Sequence, residues 1–389
     1  MECTKKGASG NKIIKVKVCP AVSAAGAAMA KAGVFSTEQL LPRRNRSLDL
    51  TGVAAQLKGK TVLVTGAAGS IGSEICRQVL SLGCDRLLAL DIHENGLFYL
   101  EQDLKRRGFP QNYVLCAGSV QDKGRVAAIM EHYRPSIIYH AAAYKHVPMM
   151  EHNPGEAIKN NFLGTLYTAQ AAKAQGAECF ILISTDKAVN PANIMGATKR
   201  MCELAVKALN GGKGTCFAAV RFGNVLGSAG SVVPVFQEQI KAGGPVTITH
   251  KDMRRYFMTI PEAVSLVLDA GRLAQGGEVF MLDMGQPVKI YDLACRMIRL
   301  RGLEPGRDIP IVFTGPRPGE KLYEEMTTAD EVTERTENNQ IYVNRSPGAE
   351  LAQVLAAAAY FEQGVDVLAP REMLRHVRAL VPTYNPTID

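Results

Sequence analysis

Short apolar runs alternate with helix-length amphipathic segments from Lys60 onward, at regular spacing. The runs are continuous rather than alternating and are bounded by turn or cap residues, which is typical of strands buried on both faces of a parallel sheet. They occur at Thr61–Thr65, Arg86–Leu90, Tyr113–Cys116, Ser136–Tyr139, Cys179–Ile183 and Cys216–Phe222. Helices are predicted at Ser73–Leu82, Glu94–Arg107, Gly155–Gln175, Met195–Leu209, Ile290–Leu300, Ala349–Phe361 and Arg371–Leu380. The pattern predicts an α/β fold with a doubly wound parallel sheet.

A glycine-rich turn follows the first predicted strand and leads into a helix. It reads Thr65-Gly66-Ala67-Ala68-Gly69-Ser70-Ile71-Gly72. Such glycines let the backbone approach a pyrophosphate, which the free N–H groups of the helix N-terminus then bind. Asp91, at the end of the next strand, would accept both ribose hydroxyls and repel a 2′-phosphate. The pattern predicts NAD as the cofactor, the alternative being a glycine-rich turn with a capping Asp.

These patterns divide the chain into four parts. Residues 60–230 are predicted to form the NAD-binding Rossmann domain, and residues 231–389 mainly a smaller α/β substrate-binding subdomain interleaved with the same sheet. Residues 46–59 are interpreted as a linker. Residues 1–45 contain one strand-like piece, Ile13–Val18, and are interpreted as a basic tail or the remnant of a preceding domain.

The net charge of +8 comes entirely from the first sixty residues, which hold eleven basic and three acidic side chains. The rest of the chain is neutral, whereas nucleic-acid enzymes usually carry their positive charge on the folded face that meets phosphates. We therefore expect no nucleic-acid partner. A basic tail at the inner face of an anionic membrane and a merely solvated tail both remain open.

The distribution of cysteines and apolar residues bears on location. Nine cysteines are scattered without a C-x-x-C pair, so neither a disulfide framework nor a metal site is expected, in keeping with a reducing cytoplasm. No run approaches the roughly 18 consecutive apolar residues that a membrane helix needs.

Several ordered motifs give the chain a family resemblance over residues 46–386. They are His140-Ala141-Ala142-Ala143-Tyr144-Lys145-His146-Val147-Pro148, Asn160-Asn161-Phe162-Leu163-Gly164-Thr165, Ser184-Thr185-Asp186-Lys187, Arg221-Phe222-Gly223-Asn224, Arg255-Tyr256-Phe257-Met258-Thr259 and Arg317-Pro318-Gly319-Glu320-Lys321. With the glycine turn, they resemble the CapD-type polysaccharide-biosynthesis proteins of the extended short-chain dehydrogenase/reductase superfamily. These relatives are nucleotide-sugar 4,6-dehydratases, and their longer members are membrane-anchored. The resemblance implies a homo-oligomer acting on UDP-N-acetylglucosamine.

The resemblance also assigns residues to the cofactor. It implies that NAD is bound by Gly66, Gly69, Ser70, Ile71, Gly72, Asp91, Ser119, Val120, Ala141, Ala142, Ala143 and Lys199. Ser119 is a departure, because such proteins usually carry an Asp facing the adenine there.

Thr185, Asp186 and Lys187 end a predicted strand at the sheet edge where doubly wound folds bind ligands. A 4,6-dehydration needs a base at sugar C5 and an acid at the C6 hydroxyl, and an Asp–Lys pair with pKa values moved toward neutrality can supply both. The resemblance implies that Asp186 is the acid, Lys187 the base and Thr185 a partner of the sugar O4. The alternative is a solvated cap pair.

Met195 stands four residues before Lys199, where most dehydrogenases of this superfamily have Tyr. A thioether cannot exchange the hydroxyl proton as a phenol can, so Met195 would otherwise suggest core packing and an inactive enzyme. The family members described as retaining the C5 configuration also have Met-x-x-x-Lys, so the residue indicates that subclass. The O4 proton must then pass to Asp186, Thr185 or water.

The remaining motif residues are predicted to bind the nucleotide sugar. By resemblance these are Lys145, Asn224, Arg255, Arg317 and Glu320, although the arginines could instead form surface ion pairs. His146 could equally be structural. Two rival functions stay open, a nucleotide-sugar epimerase and a non-catalytic NAD-binding protein.

Overall fold

The fold was analysed in a computed structural model, which describes residues 37–40, 48–211, 214–346 and 348–386. The strand predicted at Ile13–Val18 and most of the basic segment 1–45 lie outside the described residues. Among the described residues, no helix has the length and apolar character needed to cross a membrane.

All six predicted strands form, and they pair in parallel. They are β1 (Thr61–Thr65), β2 (Arg86–Asp91), β3 (Tyr113–Ala117), β4 (Ile137–His140), β5 (Cys179–Ile183) and β6 (Cys216–Arg221). Their spatial order is β6-β5-β4-β1-β2-β3, so the winding direction reverses between β4 and β1. A doubly wound α/β sheet is confirmed, and its carboxyl edge at this reversal is the usual ligand site.

Nine further strands follow in the second half of the described chain. They are β7 (Asn224–Leu226), β8 (Val246–Ile248), β9 (Arg254–Arg255), β10 (Phe257–Thr259), β11 (Val279–Leu282), β12 (Val288–Lys289), β13 (Ile311–Phe313), β14 (Thr333–Arg335) and β15 (Ile341–Asn344). Strand β11 pairs with β6 in parallel, and β15 and β14 extend the same sheet antiparallel. The others form three separate two-stranded pairs, β7 with β10, β8 with β13 and β9 with β12.

Helices cover both faces of the sheet. They are α1 (Thr51–Leu57), α2 (Ser70–Ser81), α3 (Glu94–Arg106), α4 (Lys123–Tyr133), α5 (Val147–His152), α6 (Pro154–Ala157), α7 (Gly164–Ala174), α8 (Ile194–Leu209), α9 (Val232–Lys241), α10 (Ile260–Leu273), α11 (Ile290–Leu300), α12 (Leu351–Gly364) and α13 (Pro370–Leu380). Successive strand residues face opposite sides, so Leu63 belongs to one buried cluster and Val64 to the other. Helices α4, α7, α8, α12 and α13 pack on the first face, and α1, α2, α3 and α10 on the second.

The structure differs from the sequence prediction at three helices. Helix α2 begins at Ser70 rather than Ser73, because Gly69 is the last extended residue of the glycine turn. The helix predicted over Gly155–Gln175 is interrupted by a π-helical segment, Ile158–Leu163. Within the predicted linker, α1 buries Val53 and Leu57 against the second face of the sheet, so this stretch is part of the folded unit.

Candidate functional site

The glycine turn leaves no room for side chains between β1 and α2. Gly66 has a φ of +64°, and a Cβ there would lie 2.6 Å from the backbone nitrogen of Ala142. A Cβ at Gly72 would lie 2.0 Å from the carbonyl oxygen of Gly66. The first turn of α2 therefore packs directly on the loop, and no side chain caps its N-terminus. Such a helix end is suited to bind a phosphate.

Asp91 ends β2 and faces this turn. One carboxylate oxygen accepts a hydrogen bond from the backbone N–H of Ala68 at 2.9 Å, and the other accepts one from His93 at 2.8 Å. These bonds fix the carboxylate beside the glycine turn, and each of its oxygens can still accept a hydrogen bond from a hydroxyl group.

One cleft collects most of the predicted cofactor residues. It is lined by Gly66, Gly69, Leu90, Asp91, Ile92, Gly118, Ser119, Val120, Ala141, Ala142, Ala143, Tyr144 and Asn160. Ser70, Ile71 and Gly72 form the start of the adjoining helix rather than the lining. Lys199 is not among the lining residues; it lies in α8, and burial lowers its pKa.

Asn160 and Tyr144 belong to two of the family motifs, but neither residue was predicted from the sequence to bind the cofactor. Both line the cleft, because the π-helical segment Ile158–Leu163 brings the adjacent residues Asn160 and Asn161 to the loop that carries Tyr144. Asn161 accepts a hydrogen bond from the Tyr144 N–H at 2.8 Å and donates to the Thr198 hydroxyl at 3.1 Å. Asn161 thus joins the loop after β4 to helix α8. The pair of adjacent asparagines was the sequence feature that could have indicated this contact.

A buried histidine supports the same edge from below. The ring of His140 contacts the hydroxyls of Thr65, at 2.8 Å, and Thr165, at 3.0 Å. Burial, reinforced by the positive charge of Lys199, lowers the pKa of His140 to about 3, so the ring is neutral at physiological pH. It acts as a structural link between β1, β4 and α7.

The predicted acid–base residues lie together in the turn after β5. Asp186 is fully buried, and its Oδ1 accepts hydrogen bonds from the Thr185 hydroxyl at 2.8 Å and from Lys187 Nζ at 3.0 Å. Its other oxygen, Oδ2, is buried without a hydrogen-bond partner. A buried carboxylate oxygen without a donor is costly, and Oδ2 is therefore the oxygen of Asp186 with unused acceptor capacity.

Lys187 contacts a second carboxylate that the sequence did not single out. Its Nζ lies 3.5 Å from Oε1 of Glu324, whose side chain is 5% exposed. Burial acts to lower the pKa of Lys187, but the carboxylates of Asp186 and Glu324 outweigh it and raise that pKa above its ordinary value. The shift of the Lys187 pKa toward neutrality that an acid–base role requires is therefore not produced by these protein groups alone.

Helix α8 packs its first turn against the Asp–Lys turn. A Cβ at Gly196 would lie 2.2 Å from the carbonyl oxygen of Lys187, so only glycine permits this approach. Met195 is 3% exposed and belongs to the hydrophobic cluster that also contains Met201. Its thioether supplies packing at this position.

The segment 317–324, which brings Glu324 to Lys187, is fixed by hydrogen bonds from Asn193 and Arg255. The amide of Asn193, the N-cap of α8, donates to the carbonyl of Gly319 at 2.9 Å. The guanidinium of Arg255 donates to the carbonyls of Lys321, at 2.8 Å, and Leu322, at 3.1 Å. Arg255 also lies 3.7 Å from both Glu320 and Glu324.

The predicted substrate residues are therefore only partly gathered. Arg255 and Glu320 form an ion pair, and Glu320 also accepts from the backbone N–H of Arg317 at 3.1 Å, whose side chain is exposed. Asn224 starts β7 with its Oδ1 buried and unpartnered. Lys145 donates to the carbonyl of Ala229 at 2.8 Å.

The segment that Lys145 contacts also touches the glycine turn. The N–H of Ala229 donates to the Ser70 hydroxyl at 3.1 Å, and a Cβ at Gly230 would lie 2.6 Å from the ring of His146. The loop after β7 thus connects the cofactor side to the side that carries Lys145. Among the described residues, no group of three His, Cys, Asp or Glu side chains is arranged to hold a metal ion.

Comparisons with known proteins show the family to which the chain belongs. A family model described as "Polysaccharide biosynthesis protein" matches residues 62–346. The capsular polysaccharide biosynthesis protein CapD of Staphylococcus aureus is 53% identical over 307 residues, which make up 78% of this chain and 51% of that protein. The chain thus spans about half the length of this relative.

Two further relatives are matched over more of their length. A UDP-N-acetylglucosamine 4,6-dehydratase (inverting) of Campylobacter jejuni is 36% identical over 284 residues, covering 70% of this chain and 78% of that enzyme. The X-ray structure of Pen from Bacillus thuringiensis is 34% identical with a TM-score of 0.69, covering 76% of this chain and 92% of that one.

Proposed function

Because the chain belongs to the polysaccharide biosynthesis protein family, we propose that it is an NAD-dependent UDP-N-acetylglucosamine 4,6-dehydratase that serves surface-glycan synthesis. The observation that carries the proposal is the contact between the buried Asp186 and Lys187 at the carboxyl end of β5, on the same sheet edge as the cleft. An acid–base pair at this place suits the elimination of water next to a ketone. The Campylobacter jejuni relative carries this activity in its name.

The cleft fits a dinucleotide, since the close packing at Gly66 and Gly72 brings the uncapped start of α2 against the glycine turn, an arrangement suited to a pyrophosphate. Bound NAD would take a hydride from sugar C4 and return it to C6. Asp91 would hold the adenosine ribose. Ser119, Val120 and Ala141–Ala143 would line the nucleotide, as they line the cleft.

Replacing Asp91 by Asn is expected to relax the preference for NAD. The amide keeps an acceptor for the Ala68 N–H but removes the charge that repels a 2′-phosphate. The ratio of the NADP to the NAD dissociation constant should fall at least about tenfold, or about 1.4 kcal/mol, by calorimetry. The matched control is Asp85→Asn, because Asp85 is exposed and directly precedes the same strand, β2. Tighter NADP than NAD binding by the unaltered protein would contradict the assignment.

The proposed roles follow the contacts of each group. Asp186, with Oδ2 unpartnered, would accept the O4 proton and later donate it to the C6 hydroxyl, which leaves as water. Lys187 would remove the C5 proton, which the C4 ketone acidifies. Thr185, bonded to Asp186, would orient O4. Met195 cannot carry a proton, so Asp186 is the buried group best placed to take it.

The nucleotide portion would be held by Lys145, Asn224, Arg255, Arg317 and Glu320. Binding would require Arg255 to share its guanidinium between a phosphate and the 317–324 segment, since its present donors are engaged there. The homo-oligomeric state and the cytoplasmic location remain predictions.

Mass spectrometry of purified protein incubated with UDP-N-acetylglucosamine tests the function directly. We expect a product lighter by one water. An isomer of unchanged mass would instead indicate an epimerase, and unchanged substrate a non-catalytic NAD-binding protein. Proton NMR of the product should show retained configuration at C5, as Met195 indicates. Inversion at C5 would overturn the subclass but not the dehydratase.

A further inference from the structure

We infer that Glu324 is a positioning residue for Lys187 that takes the ammonium proton and thereby makes Lys187 the base of the elimination. The inference rests on the proposed dehydratase function and adds to it a third ionisable group, contributed by the segment 317–324.

Two carboxylates lie around the ammonium of Lys187. Lys187 Nζ lies 3.0 Å from the carboxylate of Asp186 and 3.5 Å from the carboxylate of Glu324. The Glu324 side chain is 5% exposed, and its other charged contact is Arg255 at 3.7 Å. Glu320, 3.7 Å from Arg255, is the next charge outward. Glu324 is too enclosed to serve as a mere surface ion pair.

The resting state poses a proton problem. Both carboxylates raise the pKa of Lys187, so the lysine begins as an ammonium, which cannot abstract a proton from carbon. In the roles proposed above Asp186 already holds the O4 proton at this stage, so it cannot also take the proton of Lys187. Among the groups that contact Lys187 Nζ, Glu324 is the acceptor that remains.

The protons then balance. Asp186 takes the O4 proton as C4 is oxidised, and Glu324 takes the proton from Lys187 Nζ. Neutral Lys187 breaks the C5–H bond, while protonated Asp186 donates to O6 as the C6–O6 bond breaks and water leaves. As C6 is reduced, the Lys187 ammonium protonates C5. Glu324 then returns its proton to Lys187, so each group regains its starting state and the sugar has lost one water.

Three features favour the transfer at the moment it is needed. Protonation of Asp186 removes one of the two negative charges that stabilise the ammonium. Exclusion of water by the bound sugar disfavours a charged Lys187–Glu324 pair relative to the neutral pair. The charge of Arg255 also opposes a second positive charge at Lys187.

The test compares Glu324→Gln, which keeps the shape, with Glu324→Asp, which keeps the carboxylate. We expect dehydration by the Gln variant to fall about 100-fold at pH 7. Its rate should then rise about tenfold per pH unit, because solvent must remove the Lys187 proton, whereas the unaltered enzyme stays nearly flat. Exchange of the C5 hydrogen of the 4-keto product in D₂O should fall in parallel. The Asp variant should be more active than the Gln variant.

The controls separate this role from packing. Glu325→Gln changes the neighbouring residue, which pairs with Lys321 and is half exposed, and should leave activity within about twofold. Thermal unfolding and NAD binding establish that each variant is folded. Full activity in Glu324→Gln, or a loss that is independent of pH and greater in Glu324→Asp, would overturn the inference while leaving the dehydratase intact. No water loss by the unaltered protein would overturn both.

Discussion

Lys187→Met is expected to abolish water loss, lowering the dehydration rate by about 10³-fold or more while NAD binding stays within about twofold. Methionine keeps the length of the side chain but has no exchangeable proton. The cofactor cleft does not include Lys187, so dinucleotide binding should survive. Product formation by mass spectrometry and NAD affinity by calorimetry check the two parts separately.

The isotope pattern of the unaltered enzyme strengthens this prediction. In D₂O, solvent deuterium should appear at C5, because the proton held on an ammonium exchanges before it returns. Deuterium at C6 should be absent if C6 receives the hydride taken from C4. Lys105→Met, an exposed lysine paired with Glu101, is the control and should have no effect. Full activity in Lys187→Met would leave Asp186 to act as both acid and base.

Glu203→Gln is expected to destabilise the fold by about 3–5 kcal/mol, because it leaves a buried guanidinium short of one counter-charge. Arg221 is fully buried and is held by Glu203 through two bonds of 2.7 Å. Its other carboxylate partner is Glu331, at 2.6 Å. Loss of the Glu203 charge should therefore loosen β6 and the segment around Glu331 together. Urea unfolding measures the cost, with Glu101→Gln, at a side chain that is 30% exposed, as the control.

The pH dependence gives an independent check. Burial alone would raise the pKa of Glu203, but Arg221, Arg200 and the Ser184 hydroxyl outweigh it and lower that pKa to about 2. A depressed carboxyl pKa stabilises the fold above the unfolded value of about 4.5 and loses that effect as the pH falls toward 2. The unaltered protein should lose more stability over this window than Glu203→Gln. Equal acid sensitivity of the two proteins would contradict the role given to the pair.

The central strands β1 to β6 could be predicted from the sequence, whereas the edge strand β14 could not. Strands β1 to β6 are continuous apolar runs because both faces are covered, which leaves a strong local pattern. Strand β14 is exposed throughout and only three residues long, and its pairing with β15 depends on chain brought from elsewhere. Such strands form through non-local contacts that carry little local signal.

The site shows the same division. The glycine turn and Asp91 could be predicted because the constraint lies within one strand–turn–helix unit. Glu324 could not, because its contact with Lys187 arises from a loop far along the chain, fixed by Asn193 and Arg255. Sequence reasoning gave Arg255 to the diphosphate, whereas most of its donors hold that loop. A residue's type limits its chemistry, but the tertiary fold selects its partner.

The pairing of β11 with β6 limits how the chain can be divided. A fragment ending near residue 230 would contain the glycine turn, Asp91 and the Asp186–Lys187 pair, yet its β6 would lack the neighbour that Val279–Leu282 supplies. The exposed N–H and C=O groups of an apolar strand promote association with other chains. The half that carries the glycine turn is therefore not an independently portable module. Engineered fusions should exchange residues 48–386 as one piece, because α1, α12 and α13 also pack on the sheet.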